Sequence, residues 1–499
     1  MIILHSKSIN MKNLFLISFL IISFSLTAQE GKPQDYLSSE FHKSRRNALR
    51  AKMPANSVAV FFANPVRNRA NDVEYVYHQD PDFYYLTGYK EPHAVLVLFS
   101  EEQVDKGQKY NEILYVQERN PQAEMWTGYR LGVEGARKDL GFKNVLNGKE
   151  FLNNEIDFSE FESVLHKPFS NDYRDSKNPA DLASLIQSFK NQVNIKEIQT
   201  NSSGALGVEV KQEVSPTTTV NIDTQILRTY MGELRQIKSP EEMKLLKKAV
   251  RISAMGQIEV MKAMHPGMSE TEVQGLHEYV YKKYGSEYEG YPSIVGAGNN
   301  GCVLHYIENS KTKLDQELVL MDLGAEYHGY TADVTRTIPA NGKYSPEQKA
   351  IYHLVYDAQE AGIAAAVVGN NSSDTHKAGQ EIINKGLYDL GIISSLDAEH
   401  TYFPHGTSHH IGLDVHDLNT GGSFEPNMVI TVEPGIYIPE GSDCDEKWWG
   451  IAVRIEDDIL ITENGPVNLS AEAPRKAEEI EAMMKKPSVF DDFKLPKLN

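Results

Sequence analysis

The sequence predicts an α+β protein in two parts: an α/β domain over residues 30–230 and a larger α+β domain over residues 231–485. An apolar leader (1–29) and a short tail (486–499) flank them. Three observations carry this reading. The 499 residues, 40% hydrophobic and 24% charged, suffice for two sizeable cores. The first part mixes fully apolar strand-like runs with polar helical stretches. The second repeats one helix-start signal three times between short strand patterns.

At the start, Lys7 and Lys12 precede the apolar run 14–26, and Thr27-Ala28-Gln29 supplies small residues before a charged continuation. About 13 apolar residues fall short of the roughly 20 that cross a bilayer as a helix, which favours a cleaved signal peptide over an anchor. Met11 as the start improves its geometry. The mature protein is then expected in the periplasm or outside the cell, with no membrane association after signal removal.

In the first domain, Val58-Ala59-Val60-Phe61-Phe62 and Ala94-Val95-Leu96-Val97-Leu98-Phe99 read as buried strands. From 163 to 218 the chain is polar and Asn/Ser/Lys-rich, which predicts loosely packed elaboration. The domain boundary falls near 228–238. Ser239-Pro240-Glu241-Glu242 then combines an N-cap Ser, a Pro at the first helical position and a Glu three residues after the cap. Ser269-Glu270-Thr271-Glu272 and Ser345-Pro346-Glu347-Gln348 repeat the signal.

Composition narrows the function. Asp+Glu 69 against Lys+Arg 50 leaves a formal net charge of -19 without any basic run, which argues against nucleic acid as a partner. With only Cys302 and Cys444, no disulfide framework holds the fold. Cys302 and His305 form a C-x-x-H pair, but nothing nearby completes a four-ligand zinc site, so Cys302 reads as core packing.

Chemistry concentrates in four places. Leu318-Val319-Leu320-Met321-Asp322-Leu323-Gly324 is a buried strand ending in a carboxylate, and residues 330–337 read as its returning strand carrying Asp333. Either Asp alone would read as a turn or cap; a hairpin brings the two together. Pro404-His405-Gly406-Thr407-Ser408-His409-His410-Ile411-Gly412-Leu413-Asp414-Val415-His416-Asp417 holds four histidines in twelve residues, of which His410 is readable as structural. Met428-Val429-Ile430-Thr431-Val432 delivers Glu433 before a Pro-Gly turn. Period-two alternation over residues 451–459 points Arg454 and Glu456 into one space. These carboxylates and one or two imidazoles, without thiolates, form a hard-donor set suited to manganese and tolerant of cobalt, iron or zinc. Two divalent cations would neutralise it and acidify a bridging water.

The order Asp322, Asp333, His409, Glu456 with Glu433 before the last resembles the five metal ligands of the pita-bread metallopeptidases, the family of methionine aminopeptidase, aminopeptidase P and prolidase. Asn300-Gly301-Cys302-Val303-Leu304-His305-Tyr306, the 322–337 and 405–417 stretches and Thr431-Val432-Glu433-Pro434-Gly435 are similar to aminopeptidase P in particular. So are Asp82-Phe83-Tyr84-Tyr85-Leu86-Thr87-Gly88-Tyr89 and Ala123-Glu124-Met125-Trp126-Thr127-Gly128-Tyr129-Arg130-Leu131-Gly132 in the first domain, which methionine aminopeptidase lacks.

The resemblance implies a pita-bread catalytic domain behind an aminopeptidase P amino-terminal domain, and a proline-specific metallo-aminopeptidase acting on peptides with proline at the second position. It implies that Asp333 and Glu456 bridge two ions, manganese first among the candidates, with Asp322 completing one site and His409 and Glu433 the other. Water between the ions would attack the carbonyl before proline, and Glu433 would pass its proton to the leaving nitrogen. His305, His405 and His416 correspond to outer histidines that bind substrate and stabilise the oxyanion. Arg454 would fix Glu456 or the substrate end. Tyr437 is either a wall of the proline pocket or a core aromatic. A homo-oligomer, dimer or tetramer, is the family expectation. Prolidase shares the ligands but cuts only dipeptides, and the first-domain matches favour aminopeptidase P. A non-catalytic peptide-binding relative is the remaining alternative, against which stands the full ligand set.

Overall fold

Residues 57–62 are buried on both faces, as a nearly unbroken apolar run requires, and they form the centre of the first domain's sheet. The computed structural model describes residue 33 and residues 35–496 except 154, 155, 171, 200–209, 215–219 and 494. The expected signal peptide, 1–29, lies outside the described residues, as does part of the 486–499 tail. Leu37–Asn499 form one compact unit.

The first sheet has six strands in the order Ile222–Asp223, Ser163–His166, Ser57–Phe62, Val95–Asp105, Gln108–Val116, Val145–Asn147. Its central strand pairs antiparallel with Val95–Asp105 and parallel with Ser163–His166. Alternation divides it between two cores. Val58 and Val60 pack with Val95, Val97 and Phe189 on one face, while Ala59 and Phe61 join Leu96, Leu98 and the core shared with the rest of the molecule. Within the polar 163–218 stretch, the described residues 163–166 and 182–192 are better packed than its composition suggests. Ser163–His166 enters the sheet, and the helix Leu182–Gln192 buries Leu185, Ile186 and Phe189. Those residues recur at helical spacing, a signal diluted by the polar residues between them.

The helix Ile226–Arg235, which contains residues 230 and 231, leads into the second domain. Two of the three expected capping boxes close reciprocally, at Ser239 for Pro240–Ala263 and at Ser345 for Pro346–Ala365. At Ser269 the cap is one-way: Ser269 accepts from the Glu272 amide. A further capping box, Asn371 with Asp374, starts Ser372–Asp389.

Between these helices lie short antiparallel sheets. Leu318–Leu323 is the middle strand between Ile294–Ala297 and Val334–Pro339, with Asp322 opposite Thr335. Val429–Val432 pairs with Asp457–Leu460, and Gly435–Ile438 with Ile451–Arg454. Two strands predicted as continuous are broken at their functional residues. The run 330–337 splits into Tyr330–Thr331 and Val334–Pro339, with Asp333 in the gap and its amide given to the Asp458 carboxylate at 3.1 Å. The run 451–459 breaks at Ile455 and Glu456, whose amides donate to the Pro434 carbonyl in the turn before Gly435–Ile438 and to the Thr335 carbonyl on Val334–Pro339. Ladder positions alternate strictly; leaving the ladder lets successive strands aim carboxylates at one point. Among the described residues no helix is long and apolar enough to cross a membrane.

Candidate active site

Asp322 lies one residue from the end of its strand, held from behind by the Pro240–Ala263 helix. The fully buried Gln257 amide donates to the Met321 and Val334 carbonyls at 3.1 and 2.8 Å, tying both arms of the hairpin to that helix. Gly324 follows because nothing larger fits: a Cβ there would come within 2.1 Å of the Ala332 carbonyl oxygen and 2.6 Å of the Tyr291 ring. Tyr291 uses that space to direct its hydroxyl to Asp322 Oδ1 and Asp333 Oδ1, each at 2.5 Å.

Glu456 is delivered by the break after Ile451–Arg454. Its carbonyl accepts from the fully buried Arg336 (2.7 Å), which also pairs with Asp457 (2.7 Å). Its carboxylate accepts from Thr335 Oγ1 at 2.6 Å. His409 enters from the histidine segment. Its amide and carbonyl bond to Thr431, its Nδ1 donates to the His410 carbonyl at 3.1 Å, and its Nε2 faces Asp333 at 3.5 Å and Glu433 at 3.4 Å. Ligand atoms of Asp333, His409 and Glu456 all lie within 4.8 Å of one another. Asp322 and Glu433 flank this trio, the first through the shared Tyr291 hydroxyl and the second through His409.

The electrostatics are those of anions short of positive charge. Burial, reinforced by Asp333 and opposed by His409, pushes Glu433 up to about 7. Burial and the carboxylates of Asp333 and Glu433 drive Glu456 well above the ordinary range, and burial with Asp322 raises Asp333. His409 goes the other way for a buried imidazole: burial alone would lower it, but Asp333 and Glu433 lift it to about 9. Asp322 alone is held down against its burial, by Arg454 and Tyr291. Protons here occupy positions that suit cations, and the donors are hard oxygens with one imidazole. The residues therefore fit divalent metal ions, as a metallopeptidase site requires.

Around the trio the outer residues differ in how far they converge. Arg454 pairs with Asp322 at 2.7 Å rather than with Glu456, and donates to Tyr437 Oη at 2.9 Å and, more weakly, to Thr335 Oγ1 at 3.3 Å. Arg454 and Glu456 nevertheless share one space, as alternation predicts: Thr335 Oγ1 accepts from Arg454 Nε and donates to the Glu456 carboxylate. Tyr437 Oη in turn lies 2.8 Å from His405 Nε2. Burial keeps His405 at about 4, hence neutral, and Nδ1 donates to the Gly406 carbonyl, so Nε2 accepts from the tyrosine. Arg454, Tyr437 and His405 thus form one directed hydrogen-bond chain. His416 is exposed and stands edge-on to His409, ring centres 4.4 Å apart. His305 is exposed in the loop after the Gly298–Cys302 turn. His410 is buried, paired through its backbone with Ile430.

Tyr291 and Thr335 were not identified from sequence, whereas alternation does put Asp458 on the face of Arg454 and Glu456. Thr335 was legible in principle, since hairpin register sets it opposite Asp322. Tyr291 had no local signal.

The aminopeptidase P amino-terminal domain profile matches residues 42–157, and that of metallopeptidase family M24 matches residues 244–463. The Xaa-Pro aminopeptidase of Escherichia coli is 36% identical over 461 residues, covering 90% of this chain and 98% of that protein. Xaa-Pro aminopeptidase 3 of Rattus norvegicus is 31% identical over 86% of this chain and 81% of its own. The structure of E. coli aminopeptidase P with the inhibitor Pro-Leu superposes with a TM-score of 0.78 at 35% identity, over 90% of this chain and 98% of that one. With both domains matched and the acidic site in place between the catalytic strands, the chain belongs to the aminopeptidase P family of metallopeptidases.

Proposed function

We propose that the protein is an Xaa-Pro aminopeptidase, hydrolysing the bond between an N-terminal residue and a following proline. The observation that carries this reading is the convergence of Asp333, His409 and Glu456 within 4.8 Å, in a chain matched over nine-tenths of its length by an Xaa-Pro aminopeptidase. Divalent metal is intrinsic to the family; we assign two ions, manganese first, with cobalt, zinc or iron as substitutes. Asp322, Asp333, His409, Glu433 and Glu456 are the residues that would hold them. When bound, such ions supply Lewis acidity, polarising the scissile carbonyl and lowering the pKa of water.

The chain's own residues do the rest. Glu433, at the strand end beside His409, takes a proton from the attacking water and returns it to the departing proline nitrogen. His405 is held neutral with its ring fixed by Gly406 and Tyr437, and His416 and His305 stand free at the rim to hydrogen-bond the substrate and the oxyanion. Arg454 orients Asp322, and Tyr437, buried among Ile294, Leu320 and Ala452, supports the site from the core through its hydroxyl contacts to Arg454 and His405. Beside Tyr291 a groove of ≈ 670 Å³ runs between Tyr75, Val76 and His78 of the first domain and Ile307 and Asp414 of the second. It provides space for the rest of a short peptide. The domain junction lies at 230/231, and the leader directs the protein to the periplasm or beyond, where it acts as a homo-oligomer, dimer or tetramer.

The test is hydrolysis of Arg-Pro-Pro, Arg-Pro and Arg-Ala-Ala with added Mn2+ and after chelation. Mn2+-dependent release of Arg from Arg-Pro-Pro, with Arg-Ala-Ala untouched, is the expected result. Cleavage of Arg-Pro alone would replace the assignment by a dipeptidase.

A further inference from the structure

The first-domain segment Asp82-Phe83-Tyr84-Tyr85 stands out in the sequence, yet none of it reaches the reacting groups. Its place in the fold is the N-terminal turn of the helix Pro81–Thr87, and there Asp82 is buried and wholly committed to ion pairs. Asp82 Oδ2 accepts from Lys167 at 2.9 Å, and Asp82 Oδ1 accepts from Arg235 Nη1 at 2.6 Å. Arg235 belongs to the helix that joins the two domains. Its second terminal nitrogen pairs with Asp417 Oδ1, and Asp417 Oδ2 accepts from Lys238 at 2.9 Å. Lys167 also pairs with Asp80 at 2.7 Å. Three cations and three anions thus form one balanced, largely buried chain from the first domain to the last residue of the histidine segment.

That last residue touches the site through its backbone. The Asp417 amide donates to the His410 carbonyl at 2.9 Å, and the same carbonyl accepts from His409 Nδ1 at 3.1 Å. The carbonyl that fixes the His409 tautomer and turns Nε2 toward Asp333 and Glu433 is therefore fixed by the residue that Arg235 holds. The space is tight enough to transmit a displacement. A Cβ on Gly412 would lie 2.2 Å from Asp417 Oδ2 and 2.8 Å from Lys238 Cε, so the histidine segment and the ionic chain meet without slack.

We propose that Asp82 and Arg235 are positioning residues for the hydrolytic centre, setting the orientation of His409 through Asp417 and the His410 carbonyl. The first domain would then serve the reaction directly, by holding one ligand of the second in register. The inference rests on the reading of His409 as a metal ligand.

Asp82→Asn leaves Arg235 short of an anion and is tested beside the double variant Asp82→Asn/Lys167→Met, which removes one charge of each sign and keeps the chain balanced. Each is stripped of metal and titrated with Mn2+ by calorimetry, then assayed at saturating Mn2+ on Arg-Pro-Pro, with unfolding temperatures recorded and His409→Ala as the reference. The expected result is a double variant that unfolds near the wild-type temperature but binds Mn2+ about tenfold more weakly, with kcat lowered and KM little changed. Restoration of affinity by Lys167→Met/Asp82→Glu over the asparagine variant would support the same conclusion. Unchanged Mn2+ affinity in the folded double variant, while His409→Ala loses it, would overturn the positioning role. Unchanged affinity in both would overturn the assignment of His409 as well.

Discussion

Filling the metal-free site with Mn2+ should expel protons, and their number can be worked from the side chains. At pH 7, His409, lifted to about 9, carries essentially a full proton, and Glu433, at about 7, carries half of one. Both must leave when an imidazole nitrogen and a carboxylate become ligands, so binding releases at least about 1.5 protons per chain. Glu456, driven well above the ordinary carboxylate range by burial and its acidic neighbours, adds to that count. Protonation opposes binding, so affinity must rise with pH. Between pH 7 and pH 6 the Glu433 share grows, and apparent affinity should fall roughly 50-fold, about 2 kcal/mol. The assay is calorimetric titration of metal-free protein with Mn2+ in several buffers of different ionisation enthalpy, where the slope gives the proton count. Glu433→Gln should lower the count by about half a proton at pH 7. A wild-type count near zero, or one that Glu433→Gln leaves unchanged, would refute the reasoning that protons stand in for cations at this centre.

Three further outcomes follow from the same geometry. Glu433→Ala should lower kcat on Arg-Pro-Pro by about 10²–10⁴-fold while circular dichroism stays native; near-normal turnover in the metal-loaded variant would remove Glu433 from the proton path. Gly324→Ala forces a Cβ against the Ala332 carbonyl and the Tyr291 ring, and should cost about 1–3 kcal/mol or more in denaturant unfolding together with loss of Mn2+ affinity. Asp82, held at about 2 by Lys167 and Arg235 against the effect of burial, sits below its ordinary 3.8. Its pairing contributes about 2 kcal/mol of stability above pH 4, lost as pH falls toward 2, so the gap between wild type and Asp82→Asn in unfolding free energy should close over that range.

Much of this was legible in the sequence. Apolar strands ending in Asp322 and Glu433, and a dense histidine segment, pointed to the residues that the structure gathers into one acidic cluster, because strand ends that bury a charge are unusual enough to point at a partner. The helix starts at Ser239 and Ser345 were equally plain, since capping is a local device. The breaks at Asp333 and Glu456 were not legible: they arise because those amides find acceptors on strands far away in sequence, Asp458 and the Thr335 carbonyl. The helix Leu182–Gln192 was hidden for a different reason, its five apolar residues being spaced through polar ones. Alternation put Arg454 in one space with Glu456, but its direct partner, Asp322, lies 132 positions away and left no local sign. The Asp82–Arg235–Asp417 chain joins residues separated by 153 and 182 positions, and no local pattern announces such a contact.

Burial of that chain bears on how the enzyme meets changing surroundings. The side chains of Asp82, Arg235, Asp417 and Lys238 are each no more than 3% exposed, so mobile ions cannot come between them. A surface pair such as Lys109–Glu102, 68% and 53% exposed, is screened within a Debye length of about 8 Å at physiological ionic strength. Brine that dissolves the outer pairs therefore leaves the inner one intact. The register of the histidine segment is thereby insulated from changes in ionic strength that would loosen pairs on the surface.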